Sequence, residues 1–125
     1  MKRMLIVDDS KLMRDMVAAC LRPLGAVEFE FAATGLEAIE RLSLAAFDLV
    51  VLDLNMPDVG GLEVIEFVRS QDHLRRLPIL VVTTRGDDTS KHRVIDAGAS
   101  GFLAKPFAPA QILDEARRLL PSEAA

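Results

Sequence analysis

Cysteine and aromatic residues are scarce in this chain. Cys20 is the single cysteine, which excludes an internal disulfide and a cysteine-based zinc site. Tryptophan and tyrosine are absent, so no such ring is available to sandwich a flavin. No apolar run approaches the roughly 20 residues of a membrane span. Met1-Lys2-Arg3 runs straight into a strand-like segment, with no apolar leader region between them. Positive charge is also in deficit. Lys and Arg total 15 against 19 Asp and Glu, a formal charge of −4, so the chain as a whole has no electrostatic attraction to nucleic acid or anionic lipid. There is no repeat, low-complexity tract or linker. What remains is a 125-residue chain that is 50 % hydrophobic and 27 % charged. Those figures predict one soluble domain over residues 1–125, expected in the cytoplasm, with no DNA partner and no membrane insertion.

What is present is an alternation of short apolar runs and longer amphipathic stretches. Met4-Leu5-Ile6-Val7, Leu49-Val50-Val51-Leu52 and Ile79-Leu80-Val81-Val82 are apolar at every position, as strands are when both sheet faces are covered. Val27 to Phe31 alternates apolar and acidic residues and predicts an edge strand. Gly101 to Ala104 predicts a short fifth strand. Between them, apolar residues recur at helical spacing: Leu12, Met13, Met16, Val17, Cys20, Leu21 and Leu24, then Leu36, Ile39 and Leu42, then Leu62, Ile65 and Val68. A polar helix is predicted from Asp88 to Ala97, stopped by Gly98, and a last helix contains Ile112, Leu113, Ala116, Leu119 and Leu120. On this spacing Met13, Met16 and Cys20 are expected in the core. Strict alternation of five strands and five helices predicts an α/β fold with a doubly wound five-stranded parallel sheet.

In such a sheet, ligands bind beyond the carboxyl ends of the strands. Asp8 and Asp9 follow the first strand, Asp53 the third, Thr83 and Thr84 the fourth, and Lys105 the fifth. Singly, each has a bland explanation: a helix cap, a turn residue, a surface lysine. Together they bring three carboxylates, hydroxyls and one amine to one rim. Like charges so placed call for a cation, and hard oxygen donors without His or Cys point to Mg²⁺ or a similar ion. A carboxylate is also a competent nucleophile towards phosphorus. The set therefore suits transfer of a phosphoryl group to Asp53, with Asp8 and Asp9 on the metal and Lys105 and Thr83 on the phosphoryl oxygens. An Asp-nucleophile phosphatase would need a second acid at position 55, which is Asn.

At these residues the chain resembles the response-regulator receiver family, most closely its stand-alone CheY-like chemotaxis type. The matching segments are Ile6-Val7-Asp8-Asp9-Ser10, Val51-Leu52-Asp53-Leu54-Asn55-Met56-Pro57, Gly61-Leu62-Glu63, Val81-Val82-Thr83, Ala97-Gly98-Ala99 and Gly101 to Phe107. The resemblance implies a flavodoxin-like (βα)5 fold with strand order 2-1-3-4-5. It implies that Asp53 is phosphorylated, that Asp9 binds Mg²⁺ directly and Asp8 through water, and that Asp53 and the Asn55 main-chain carbonyl complete the protein's ligands. Thr83 and Lys105 would contact the phosphoryl group, and Lys105-Pro106 would be a cis peptide. Thr83 and Phe102 would form the switch, and Asn55 and Arg85 would tune the lifetime of the acyl phosphate. Phe102 stands where many receivers have Tyr.

The same resemblance names the partners: a histidine kinase or phosphotransfer protein upstream, and downstream a flagellar motor switch or another signalling protein, met through the helix 4–strand 5–helix 5 face. Such a protein is no enzyme in the ordinary sense and catalyses only its own phosphorylation and dephosphorylation. The chain ends five residues after the last predicted helix, so a monomer working by protein contact is expected. The competing reading is a phosphorylation-independent interaction module on the same fold.

Overall fold

Strand β1 (Lys2–Val7) lies in a parallel sheet between β2 (Val27–Ala32) and β3 (Leu49–Leu52), followed outward by β4 (Ile79–Thr83) and β5 (Gly101–Ala104). The order is 2-1-3-4-5, as expected. This is a computed structural model, and it describes residues 1–56, 58–84 and 87–120. The connecting helices are α1 (Lys11–Leu21), α2 (Gly35–Leu44), α3 (Gly61–Ser70), α4 (Asp88–Ala97) and α5 (Pro109–Leu119). Two short 3₁₀ turns, Arg22–Leu24 and Asp72–Leu74, were not foreseen from the sequence.

The period-2 alternation of the strands divides the core into two layers. Leu5, Val7, Val50, Leu52, Ile79 and Val81 pack with residues of α2, α3 and α4. Met4, Ile6, Leu49, Val51, Leu80 and Val82 pack with α1 and α5 through Val17, Leu21, Ile112 and Ala116. Each fully buried large side chain contributes roughly 1.5–3 kcal/mol of transfer free energy, and the three apolar strands supply most of them. Helix starts are capped locally. The Ser10, Thr34 and Asp87 side chains accept from the N–H groups of Met13, Glu37 and Ser90, each cap being worth about 1 kcal/mol. Gly98 ends α4 at φ 119°, where a residue with a Cβ would be strained.

The apolar stripe of α1 is wider than its contact. Val17, Ala18 and Leu21 are buried, but Leu12 is 78 % exposed and Met16 40 %. Met16 is therefore not a core residue, and Met13 and Cys20 are only half-buried. The reason is geometric: α1 is buried only over its carboxyl half, at Val17, Ala18 and Leu21. Burial raises the Cys20 thiol's pKa, which makes it a poor nucleophile.

Candidate functional site

The register places the polar strand ends side by side. Leu52 pairs with Val7 and with Val81, and Thr83 pairs with Ala104. Asp8, Asp53, Thr83 and Lys105 therefore all stand at the carboxyl rim of the four adjoining strands. Backbone bonds fix the positions: Asp8 N–H donates to Ala32 O at 3.1 Å, Asp53 N–H to Val7 O at 3.0 Å, and Lys105 N–H to Thr83 O at 2.8 Å. The Lys105–Pro106 peptide is cis.

Asp8 is buried and its carboxylate is fully engaged. Oδ1 accepts from Ser10 N–H at 2.9 Å, and Oδ2 accepts from Lys105 Nζ at 2.8 Å. The same ammonium lies 3.8 Å from Asp53 Oδ1. Asp53 is also buried, and Asn55 N–H donates to its Oδ1 at 3.4 Å. Asp9 differs from both: it is exposed, and among the described residues its carboxylate has neither a hydrogen bond nor an ion pair. One oxygen from each of Asp8, Asp9 and Asp53 fits within a 4.8 Å cluster. Among the described residues three carboxylates gather around the Lys105 amine, leaving an excess of negative charge there, and one donor, Asp9, is open to solvent. An all-oxygen set of this kind fits a hard divalent cation.

The charge imbalance is visible at Asp53. Its pKa is raised, first by burial and then by the neighbouring Asp8 and Asp9 carboxylates, against the lowering effects of Lys105 and the Asn55 N–H. An ionised Asp53 is thus held at a cost that a second cation would remove.

Thr83 is wholly buried and Phe102 half-buried against the α2–α3–α4 layer. Val81 pairs with Phe102, so strand alternation puts the Thr83 and Phe102 side chains on the same face. Asn55 Nδ2 donates to Thr84 Oγ1 at 3.3 Å, linking the two loops that flank Asp53. Arg85 and Pro57 lie outside the described residues.

Two supports escaped the sequence reading, Arg14 and Asp58, and a third, Gly61, stood in a matching segment without a stated role. Arg14 Nη1 donates to Asp8 O at 2.8 Å and steadies the acidic turn. Asp58 accepts from Gly35 and Leu36 N–H at 3.2 and 3.3 Å, so the loop after Asp53 caps α2. Gly61 is required by contact: a Cβ there would lie 2.7 Å from Asp53 O and 2.8 Å from Leu54 Cα. A Gly-Gly pair opening a helix was the only available signal for the last. The partners of Arg14 and Asp58 are set by the tertiary fold. Beside Lys105, a cavity of about 350 Å³ is lined by Met13, Met16, Thr84, Pro106 and Phe107, which accounts for the half-exposed methionines.

Comparison with known proteins agrees with this geometry. The family model described as the response regulator receiver domain matches residues 4–117. Chemotaxis protein CheY1 of Helicobacter pylori is 36 % identical over 114 residues, 90 % of this chain and 91 % of that protein. Chemotaxis protein CheY-3 of Vibrio cholerae serotype O1 is 34 % identical over 113 residues, 90 % of this chain and 87 % of that one. The crystal structure of Vibrio cholerae chemotaxis protein CheY4 superposes with a TM-score of 0.88 at 39 % identity, covering 96 % of this chain and 99 % of that one.

Proposed function

The chain belongs to the response regulator receiver family, and from that membership we propose that Asp53 accepts a phosphoryl group from the phosphohistidine of a histidine kinase or phosphotransfer protein. The observation that carries this reading is the gathering of the Asp8, Asp9 and Asp53 carboxylates within 4.8 Å, with Lys105 Nζ beside two of them. An Asp53 carboxylate oxygen attacks phosphorus. The O–P bond forms as the N–P bond breaks, and the electron pair returns to the donor's imidazole nitrogen. Lys105 neutralises phosphoryl oxygens, and the Thr83 hydroxyl donates to one of them. Asp8, Asp9, Asp53 and the Asn55 carbonyl would hold Mg²⁺, which supplies charge neutralisation when bound. Asp9, exposed and without a partner among the described residues, suits a direct ligand, and Asp8, with both oxygens already accepting a bond, suits an indirect one.

Hydrolysis of the acyl phosphate resets the protein, with Asn55 and Arg85 tuning its lifetime. In the signalling direction, the added charge of about −1.5 to −2 draws Thr83 towards the phosphoryl group, and Phe102 follows into the space on their shared face. The readout is a changed α4–β5–α5 surface, met by a downstream signalling protein such as a flagellar motor switch. We place this monomeric receiver, spanning residues 1–125, in the cytoplasm. Among the described residues no helix is long and apolar enough to cross a membrane.

The test is intact mass after incubation with Mg²⁺ and acetyl phosphate. One phosphoryl adduct is expected on the native chain and none on Asp53→Asn. No adduct on the native chain, or an adduct retained in the variant, overturns the reading.

A further inference from the structure

Asp9 is the one carboxylate of the rim whose side chain the fold does not hold. It is exposed and, among the described residues, has neither a hydrogen bond nor an ion pair. Asp8 and Asp53 are buried, and each accepts at least one bond. The direction in which the Asp9 carboxylate leaves the chain is therefore set by the backbone.

The backbone at that point is held by a side chain of α1. The Asp8 carbonyl belongs to the peptide unit that joins Asp8 to Asp9. That unit is planar, so its orientation places the Cα atoms of both residues together. Arg14, near the start of α1, reaches back and donates from Nη1 to this carbonyl at 2.8 Å. Its guanidinium is half-buried and, among the described residues, forms no ion pair with a carboxylate. The turn is secured on either side of the plane as well: Asp8 N–H donates to Ala32 O at 3.1 Å, and Ser10 N–H donates to Asp8 Oδ1 at 2.9 Å.

We propose that Arg14 is a positioning residue of the metal site: by holding the Asp8–Asp9 peptide it aims the Asp9 carboxylate, and so sets the affinity for a divalent cation. This rests on the reading of Asp8, Asp9 and Asp53 as metal ligands and adds to it a residue bonded to none of their carboxylates. Charge alone predicts the opposite sign. Arg14 is a permanent cation beside an acidic rim, and removing such a cation strengthens the attraction for another. Lys105 is that case, because its ammonium is bonded to Asp8 Oδ2 at 2.8 Å and competes directly. Arg14 is bonded to a carbonyl oxygen instead. Its loss frees the peptide plane to rotate, and lost outer-shell partners of metal ligands cost about tenfold or more in affinity.

The test is Mg²⁺ calorimetry on the full chain at neutral pH, comparing the native protein with Arg14→Met and Lys11→Met. Met keeps the apolar stem of Arg14 and removes its donors. Lys11 is the control for charge: it lies in the same turn of α1, its side chain is 79 % exposed, and it pairs with Asp15 at 2.8 Å. Arg14→Met should weaken Mg²⁺ binding about tenfold, and Lys11→Met should stay within about twofold of the native chain. In EDTA the ¹⁵N-labelled Arg14→Met chain should keep a cooperative thermal transition, with its largest amide shifts at residues 8–10. The proposal is overturned if Arg14→Met binds Mg²⁺ as tightly as the native chain or more tightly, or if Lys11→Met weakens binding as much. It is also overturned if Arg14→Met loses its cooperative transition in EDTA, which would make Arg14 a residue of the fold rather than of the site. A native chain that takes up no Mg²⁺ removes the metal site and this inference together, whereas equal binding by the native chain and Arg14→Met removes the inference alone.

Discussion

Replacing Asp53 by Asn in the absence of divalent metal should stabilise the protein. At an effective dielectric of about 20, two carboxylates within 4.8 Å repel by roughly 3 kcal/mol or more, and Lys105 at 3.8 Å attracts Asp53 by roughly 4 kcal/mol. Those two effects nearly cancel. Asp9, exposed and screened, adds a smaller repulsion, and burial of the Asp53 carboxylate adds a desolvation penalty. The raised pKa means that burial and the two carboxylates together outweigh Lys105, so the ionised side chain costs the fold free energy. Asn keeps the shape and still accepts from Asn55 N–H, so urea denaturation in EDTA at neutral pH should show the variant more stable than the native chain. The sign with pH follows from the raised pKa. Below the unfolded value of about 4 the carboxyl is protonated in both states and the difference vanishes. It grows as pH rises through that value and levels off above the elevated folded pKa. Saturating Mg²⁺ should stabilise the native chain by about 2.7 kcal/mol at a hundredfold excess over Kd, and the variant by much less. A variant that is no more stable than the native chain in EDTA, or a difference that does not change with pH, would mean that the rim is not charge-frustrated.

Lys105→Met removes the amine bonded to Asp8 and should lower stability by about 2–3 kcal/mol in EDTA; it should also tighten Mg²⁺ binding, measured by calorimetry, because a competing cation is gone. Gly61→Ala forces a Cβ against Asp53 O and Leu54 Cα, which should cost about 1–3 kcal/mol in urea denaturation and reduce phosphoryl adduct formation. Asp58 has a lowered pKa: burial acts to raise it, but the backbone N–H groups of Val59, Leu36, Gly35 and Asp58 itself outweigh that. Its contribution is present above the unfolded pKa of about 4 and lost as pH falls through the lower folded value. Asp58→Ala should therefore be less stable than the native chain at neutral pH and should converge with it in acid, followed by thermal melts across pH.

The central strands and their rim were readable because hydrophobic runs and terminal polar residues are both local signals. Asp8, Asp53, Thr83 and Lys105 needed only the rule that parallel strands present their carboxyl ends together, and the structure brings all four to one place. Met16 was misassigned because spacing identifies an apolar face but not how far along it the neighbouring sheet extends. Arg14 and Asp58 were overlooked for a different reason. An arginine on a helix and an aspartate in a turn look like solvent residues until the fold supplies Asp8 O and the α2 amides.

The most direct measurement is a Mg²⁺ titration of the ¹⁵N-labelled chain followed by two-dimensional NMR. The amides of residues 8–10 and 53–55 should shift together and saturate at one ion per chain, and Asp9→Asn should weaken the response sharply. If those amides stay still, or drift without saturating, the clustered acids do not bind a divalent ion, and the chemistry assigned to Asp53 loses its basis.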